Sequence, residues 1–175
     1  MKFKSQLLGA TVYPKAGYVF FYGGVFSQWA EGKFYCTSLK LDVNCAEQAM
    51  MLHKARFFGD MDIYNQLLVT DHPRDQKALG RLVNGFDAAS WSKVGFQIVA
   101  SINIDKFGQS KAWKELLFLT EPYTLVEASP TDKIWGIGMG EDNPDLLNIN
   151  KWGQNLLGKA ITHARGHLLT KENQI

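Results

Sequence analysis

A carboxylate and an amine lie seven residues apart in the segment NCAEQAMMLHKARF, residues 44–57. If this segment is a helix, Glu47, Met51 and Lys54 share one stripe, because positions i, i+4 and i+7 lie on the same face. Neighbouring methionines exclude water, and desolvation is one of the causes that shift a pKa toward a value useful in catalysis. Glu47 and Lys54 could therefore supply a carboxylate and a reactive amine to one site.

The same residues also have a structural interpretation. Asn44 followed three residues later by Glu47 predicts a helix N-cap with a reciprocal capping bond, which requires no function. Lys54 by itself would be a solvated surface lysine, as most lysines are. Spacing alone favours the capping role of Glu47.

A second charged residue lies close to apolar ones near the C-terminus. Arg165 follows Ile161 by four residues, at the edge of a helix face that also carries Leu157. An arginine at such an edge either extends to solvent or pairs with a carboxylate or a phosphate. A structural ion pair and a ligand contact both remain open.

The connector DKIWGIGMG, residues 132–140, is rich in glycine. Its G-x-G-x-G pattern lacks the spacing and the strand-to-helix setting of a dinucleotide fingerprint, which excludes a Rossmann fold. Beside Trp135, these glycines would still allow the backbone to approach a flat or phosphorylated ligand closely. His163 and His167 are four residues apart but lack a third zinc ligand, so no metal is predicted.

The elements that must position these groups follow from periodicity and caps. Strands are predicted at YVFFY (18–22), FYCTSLKLD (34–42) and YTLVEAS (123–129). Helices are predicted from the cap at Asn44 to about Phe58, with Gly59 at its end, and at 61–68, with Asp60 as its cap. Further helices are predicted at 71–83, from Asp87 through Ile102, at 111–119 and at 152–168. The strands cluster early and the helices do not alternate with parallel strands. This order predicts an α+β fold, a single mostly helical domain over residues 1–175 with a frayed tail at 170–175.

Composition limits the class of protein. A net charge of +2 excludes a strongly basic nucleic-acid coat protein, and 46% hydrophobic residues predict a folded chain. Cys36 and Cys45 lack C-x-x-C spacing and are interpreted as buried, reduced thiols. The N-terminus reads as a first strand and not as a signal peptide, and no apolar run reaches the roughly 18 residues of a membrane span. A cytoplasmic location without a membrane partner is expected.

Six segments, in this order and spacing, resemble the NADAR family of YbiA-like proteins, whose name refers to NAD and ADP-ribose. They are FSQW (26–29), CAEQAMMLHKARFFGD (45–60), KALGRLVNGF (77–86), DKFGQS (105–110), LVEASPTDKIWGIGM (125–139) and NKWGQNLLGKAITHAR (150–165). The W-G-x-G element followed by N-L-L-G and a terminal arginine is distinctive in combination. Gln28 stands where the family often has asparagine, and Gln48 stands where some members have histidine.

The resemblance implies an enzyme that hydrolyses N-glycosidic bonds. It implies removal of ADP-ribose from ADP-ribosylated guanine in DNA or RNA, which reverses a toxin-type modification. Two alternatives are a glycosidase acting on phosphoribosylamino intermediates of riboflavin biosynthesis, and a module that binds ADP-ribose or NAD derivatives without turnover. No step calls for a metal or a redox cofactor, so no cofactor is predicted. The oligomeric state stays open.

The resemblance and the demands of the reaction together assign roles to residues. Breaking the C1–N bond builds positive charge on the ribose and requires a proton at the leaving nitrogen. Glu47 and Asp132 are the predicted carboxylates. Lys54 is the predicted amine, forming a Schiff base with the opened ribose, and direct attack by water is the alternative.

The predicted binding residues match such a substrate in charge, hydrogen bonding or ring stacking. They are Arg81 and Arg165 for the diphosphate, Gly136 and Gly138 for close approach, Trp135 and Trp91 for stacking, and Glu127, Asn155 and Ser27 as polar contacts. For Trp91 a role in the core is favoured, and Asn155 has the alternative of capping or orienting the last helix.

Overall fold

The computed structural model describes residues 2–174, which divide into two compact units. Unit 1 contains the described residues through Ser27 and those from Ser110 onward, and unit 2 is Gln28–Gln109. Among the described residues, six α-helices accompany a four-stranded and a two-stranded sheet, which confirms the α+β class. The single domain over residues 1–175 stays a prediction. None of the helices in this part of the chain is long and apolar enough to cross a membrane.

Unit 1 is built on a four-stranded sheet in the order β1-β2-β3-β6. Its strands are β1 (Phe3–Ser5), β2 (Ala10–Tyr13), β3 (Tyr18–Phe21) and β6 (Thr124–Glu127). The first three are antiparallel, and the last pairs with β3 in parallel, which confirms the predicted strands at 18–22 and 123–129. The predicted single N-terminal strand is a hairpin, because Gly9, with φ +59°, lets the chain turn back.

Two helices complete unit 1, α5 (Lys111–Phe118) and α6 (Leu156–Glu172). The last helix begins at Leu156 and not at Trp152, because backbone bonds from Gly153 to Ile137 and from Gln154 to Lys133 hold the preceding residues in another conformation. It continues through Glu172, so the first three residues of the predicted frayed tail are helical. Ile175, the last residue of that tail, lies outside the described residues.

The core of unit 1 lies between the sheet and the glycine-rich connector. Phe20, Val126 and Ile137 are fully buried, and the ring of Trp152 packs edge-on against Phe20 with centroids 5.7 Å apart. On the helix side, the hydroxyl of Thr162 accepts a hydrogen bond from the backbone N–H of Leu125, in β6, at 3.1 Å. The sheet therefore fixes both the connector and α6.

Unit 2 has α1 at its centre. Its elements are β4 (Phe34–Cys36), β5 (Leu41–Val43), α1 (Ala46–Phe57), α2 (Met61–Leu68), α3 (Pro73–Arg81) and α4 (Ala88–Gly108). The first helix packs against the other three. The segment 34–42, predicted as one strand, is a hairpin instead, because Lys40 takes φ +60° and its N–H donates to Cys36 at 2.8 Å.

Local caps set most helix ends in unit 2. The carboxylates of Asp60 and Asp87 accept hydrogen bonds from the backbones of Ile63 and Ser90, which confirms both predicted caps. The predicted cap of α1 at Asn44 is wrong. The capping residue is Cys45, whose Sγ accepts from the N–H of Gln48 at 3.5 Å.

Candidate active site

Glu47 lies in the first turn of α1, with 5% of its surface exposed. Because Cys45 is the cap, Gln48 occupies the third helical position, and its Oε1 accepts from the N–H of Asn44 at 2.9 Å. Glu47 is only the second helical residue, so the interpretation of Glu47 as the reciprocal capping residue is wrong. The backbone N–H of Glu47 donates to the carbonyl of Gln28 at 2.9 Å. The backbone of this buried residue is thus held in place, and the catalytic role of its carboxylate stays a prediction.

Lys54 lies two turns further along α1 and is half-buried. Its Nζ donates to the carbonyl of Gly80, in α3, at 2.6 Å, and lies 3.9 Å from the centroid of the Phe86 ring. The missing side chain of Gly80 permits this approach, since a Cβ there would overlap Met51 Sδ. The helix packing therefore delivers a carbonyl and an aromatic face to one amine.

The charges around Lys54 act on its pKa in opposite directions. Burial lowers the pKa below its ordinary value, the carboxylate of Glu47 opposes that shift, and the guanidinium of Arg81 adds to it. The structure thus brings three predicted site residues into one electrostatic cluster, which we call the α1–α3 cluster: Glu47, Lys54 and Arg81. An amine whose pKa is lowered becomes a neutral nucleophile more readily.

Trp91 also belongs to unit 2, but only 8% of its surface is exposed. Its ring meets those of Phe57 and Phe58, with centroid distances of 6.1 and 6.4 Å. A buried ring that is surrounded by other rings has little face left for a ligand. This geometry supports the core role of Trp91 over the predicted stacking role.

A second lysine of unit 2 was not among the predicted site residues. Lys106, in α4, is 1% exposed, and burial lowers its pKa to about 7, opposed by the nearby Cys45. Burial in turn raises the pKa of the Cys45 thiol to about 11. The signal was present in the sequence, because Val99, Ile102 and Lys106 follow the spacing of one buried helix face.

A pair of buried amides connects the start of α1 to α4. Asn103 Nδ2 donates to Gln28 Oε1 at 3.2 Å and to the carbonyl of Val99 at 2.8 Å. Within residues 2–174, Gln28 Nε2 and Asn103 Oδ1 are buried without a hydrogen-bond partner. Because the carbonyl of Gln28 also accepts from Glu47, this pair helps to hold the predicted catalytic carboxylate.

In unit 1, Asp132 organises the connector. Its Oδ1 accepts from the backbone N–H groups of Ile134 and Trp135, both at 2.8 Å. The next residue is Gly136, where a Cβ would lie 2.8 Å from Ser129 Cβ and 2.9 Å from the carbonyl oxygen of Glu127. Close packing within unit 1 therefore explains this glycine without a ligand. The ligand roles of Asp132, Trp135 and Gly136 stay predictions.

Asn155 joins the connector, β6 and α6. Its Oδ1 accepts from the N–H of Glu127 at 3.0 Å, its Nδ2 donates to the carbonyl of Leu125 at 3.1 Å, and its own N–H donates to Gly136 at 3.1 Å. Asn155 is the N-cap residue of α6, without a side-chain capping bond, and its bonds to β6 support the alternative that it orients the last helix. The structure brings Glu127, Gly136 and Asn155 together, and Gly138, two residues on, has φ +72°.

Arg165 is placed away from that group. It is 7% exposed, and its Nη1 donates to the hydroxyl of Thr120 and to the carbonyl of Tyr123, both at 2.7 Å. Burial lowers the pKa of Arg165, opposed by the charge of Glu121. Ten residues of helix separate it from Asn155, about 15 Å along the axis. Arg165 therefore anchors the turn after α5, and its predicted diphosphate contact stays a prediction.

The remaining predictions concern Ser27 and metal binding. Ser27 is partly buried, ends a short 3-10 helix and donates its N–H to Gly24 at 3.1 Å; its ligand contact stays a prediction. His163 and His167 are exposed. Across residues 2–174, no three His, Cys, Asp or Glu side chains are grouped so that they could hold a metal ion.

One helix of this α+β protein thus carries a buried carboxylate, Glu47, and a half-buried lysine, Lys54, that interact electrostatically. A sequence model of the NADAR domain matches residues 20–169. The chain belongs to the NADAR domain family, as its sequence segments indicated. The matched range covers parts of both units, which agrees with the predicted single domain without testing it.

Curated relatives give the class of activity. An N-glycosidase of Acanthamoeba polyphaga mimivirus is 39% identical over 169 residues, covering 90% of this chain and 96% of its own. Protein irg-1 of Caenorhabditis elegans is 36% identical over 135 residues, covering 75% of this chain and 64% of its own. An N-glycosidase of Nostoc punctiforme is 34% identical over 93 residues, covering 53% of each chain. The predicted enzyme class, a hydrolase of N-glycosidic bonds, is confirmed by these relatives.

A solved structure matches the fold. The NMR structure of the E. coli protein YbiA has a TM-score of 0.73 with 22% sequence identity, over 91% of this chain and 89% of that chain. The likeness confirms the YbiA-like α+β fold that the sequence predicted.

Proposed function

We propose that this protein removes ADP-ribose from ADP-ribosylated guanine bases in nucleic acid, which reverses a toxin-type modification. The observation that supports the proposal best is the α1–α3 cluster, where the half-buried Lys54 interacts electrostatically with the buried Glu47 and with Arg81. Two relatives named N-glycosidases support the type of bond that is cleaved. The guanine-linked substrate comes from the family resemblance.

Lys54 is the proposed nucleophile. Ring opening breaks the C1–O4′ bond: O4′ takes a proton from a carboxylic acid, and C1 becomes an iminium carbon on the guanine nitrogen. The neutral amine of Lys54 then adds to C1 and gives a proton to the carboxylate, so the C1–Nζ bond forms before the bond from C1 to the guanine nitrogen breaks. The leaving nitrogen takes up a proton from a carboxylic acid and departs as a neutral amine. Water then adds to the imine carbon and restores the lysine, while the released sugar keeps the oxygen of that water.

The neighbours of Lys54 have complementary roles in this proposal. Glu47, buried about two turns away on the same helix, stabilises positive charge at C1 and exchanges protons with the reacting groups. Arg81 is exposed and carries a fixed positive charge, which suits a phosphate of the substrate. Burial favours the neutral amine that adds to C1.

Parallel incubations test this function. The protein is mixed with guanine-ADP-ribosylated DNA and, separately, with ribosylaminopyrimidine phosphates. Mass spectrometry measures ADP-ribose released from the DNA, and the aminopyrimidine and ribose phosphate released from the second substrate. Release from the DNA supports the proposal. Release from the pyrimidine phosphates alone would favour the riboflavin-type activity, and tight binding of ADP-ribose without any release would favour a binding module.

Borohydride added during turnover tests the imine. We expect a reduced adduct on Lys54 that is absent from Lys54→Ala. The matched control is Lys77→Ala, because Lys77 is a partly buried lysine of the same unit that lies 5.8 Å from the centroid of the Trp29 ring. The control variant should form the adduct at the wild-type level. Turnover without any adduct would favour direct attack by water.

A further inference from the structure

An exposed aromatic ring lies beside the amine of the α1–α3 cluster. Phe86 is 45% exposed, in the segment between α3 and α4. Its ring meets that of Phe58 edge-on, with centroids 5.4 Å apart and an interplanar angle of 70°. Phe58 thus helps to hold the ring, while nearly half of the residue stays accessible. Because this packing already restricts the ring, it loses little conformational freedom when a flat ligand stacks on it.

The position of Lys54 relates this ring to the reaction. Lys54 Nζ lies 3.9 Å from the centroid of Phe86 and is held there by the carbonyl of Gly80. A sugar carbon that bonds to Nζ must come within one bond length of it, and the base is attached to that same carbon. The base of the substrate therefore arrives within about one ring width of Phe86.

The charges nearby fit a nucleotide better than a neutral aromatic ligand. Arg81, exposed and in electrostatic contact with Lys54, supplies a positive charge for a phosphate. Aromatic side chains bind bases of any sequence by stacking, and a cationic group beside the ring adds affinity for the phosphorylated sugar. Trp91, the ring that the sequence indicated for stacking, is buried.

We propose that Phe86 is the stacking platform for the nucleobase of a nucleotide ligand that reaches Lys54. This inference rests on the proposed N-glycosidase function, because the base that stacks is the leaving group of that reaction. Phe86 contacts the base and Lys54 contacts the sugar, so the ring contributes mainly to binding and to the choice of a flat leaving group.

Three variants test the platform. Phe86→Leu removes the aromatic face, Phe86→Trp restores a larger one, and Phe57→Leu is the matched control. Phe57 is 46% exposed and also packs edge-on against Phe58, whereas the ammonium of Lys54 lies over the Phe86 ring. Thermal unfolding of all three establishes that each variant is folded before it is assayed.

The readouts are the affinity for guanosine 5′-monophosphate by titration calorimetry and the kinetics on guanine-ADP-ribosylated DNA. We expect Phe86→Leu to weaken nucleotide binding and raise KM about tenfold, with kcat changed less than about threefold. Phe86→Trp should return both values to within about twofold of wild type, and Phe57→Leu should leave both within about twofold.

A probe without a base separates stacking from an effect on the lysine. Ribose 5-phosphate with borohydride should label Lys54 equally in wild type and in Phe86→Leu, because this sugar has no base to stack. If Phe86→Leu loses labelling and nucleotide binding to the same extent, Phe86 is not a stacking platform and instead positions Lys54.

The outcomes for the two proposals can be told apart. If binding of guanosine 5′-monophosphate depends on Phe86 but no substrate is cleaved, the hydrolase proposal is contradicted and the stacking proposal is supported. Cleavage with a KM that is the same in wild type and Phe86→Leu would remove the platform and leave the hydrolase. A wild-type protein that binds no guanosine 5′-monophosphate and shows that unchanged KM would also remove the platform.

Discussion

Buried and partly buried polar side chains have different partners in the two units. In unit 2, Lys54 meets a carbonyl, an aromatic face and the charges of Glu47 and Arg81, and burial lowers its pKa. In unit 1, Asp132, Asn155 and Arg165 direct their oxygen or nitrogen atoms mainly to backbone groups. The first arrangement changes the reactivity of a side chain, whereas the second fixes the course of the chain.

This difference shows what a polar residue in apolar surroundings can mean. Burial alone does not distinguish a catalytic group from a structural one, because both need partners to offset desolvation. The partners differ between the two units. The charges of Glu47 and Arg81 act on the pKa of Lys54, whereas Asp132 and Asn155 form hydrogen bonds to backbone groups.

Lys54→Arg tests whether the amine of Lys54 acts as a nucleophile. Arginine keeps the positive charge but cannot become a neutral nucleophile, so we expect kcat to fall at least about a thousandfold. The measurement is steady-state release of ADP-ribose from guanine-ADP-ribosylated DNA, with Lys77→Arg as the control. Activity within about tenfold of wild type would show that the charge suffices and would favour attack by water.

Asp132→Asn tests the predicted catalytic role of Asp132, a residue of unit 1 whose Oδ1 accepts from backbone groups. Asparagine keeps the Oδ1 acceptor for Ile134 and Trp135, so the turn should persist while the charge is lost. If Asp132 is the second acidic group, kcat falls about 300-fold with an unchanged melting temperature. Near wild-type activity would assign Asp132 to the architecture of the connector.

Arg165→Met should act on stability. The change removes two short hydrogen bonds of a buried guanidinium. The carbonyl of Tyr123 loses its guanidinium donor, and the Thr120 hydroxyl keeps only its bond to Leu117, which costs about 3 kcal/mol in the free energy of unfolding. Denaturant titration measures this loss, and kcat/KM of the folded fraction should stay within about twofold. A large rise in KM at unchanged stability would support the predicted diphosphate contact of Arg165. It would contradict the structural role that separates unit 1 from unit 2.

His53 gives the smallest predicted effect, through pH. Burial first, and then the charge of Arg56, lower the pKa of His53 to about 4. Between this value and its ordinary pKa of 6.5, the unfolded chain binds more protons than the folded one. The stabilisation is complete above pH 6.5 and declines as the pH falls, by about 2 kcal/mol from pH 7 to pH 5.

Denaturant titrations at several pH values check the histidine. His53→Gln should remove this part of the pH dependence. Ser38→Ala, which deletes the hydroxyl 2.8 Å from His53 Nε2, should keep most of it, because burial is the main cause. A slope that persists in His53→Gln would assign the dependence to other groups.

Features that depend on neighbours within a few residues were predicted from the sequence, whereas features that depend on distant residues were not. The caps at Asp60 and Asp87 and the end of α1 at Gly59 were predicted correctly, because they depend on neighbours within a few residues. The cap of α1 was assigned one residue too early. Asn44 is the more usual capping type, but Cys45 takes the position and its thiol also donates to Gln76, 31 residues away.

The candidate site divides in the same way. Helical periodicity alone placed Glu47 and Lys54 on one stripe, and the family segments indicated an N-glycosidase, since both are properties of the linear chain. Only the tertiary structure decided what surrounds Lys54. Gly80, 26 residues away, and Phe86 reach the amine through the packing of α1, α3 and the segment that follows it, and periodicity within one helix carries no information about that packing.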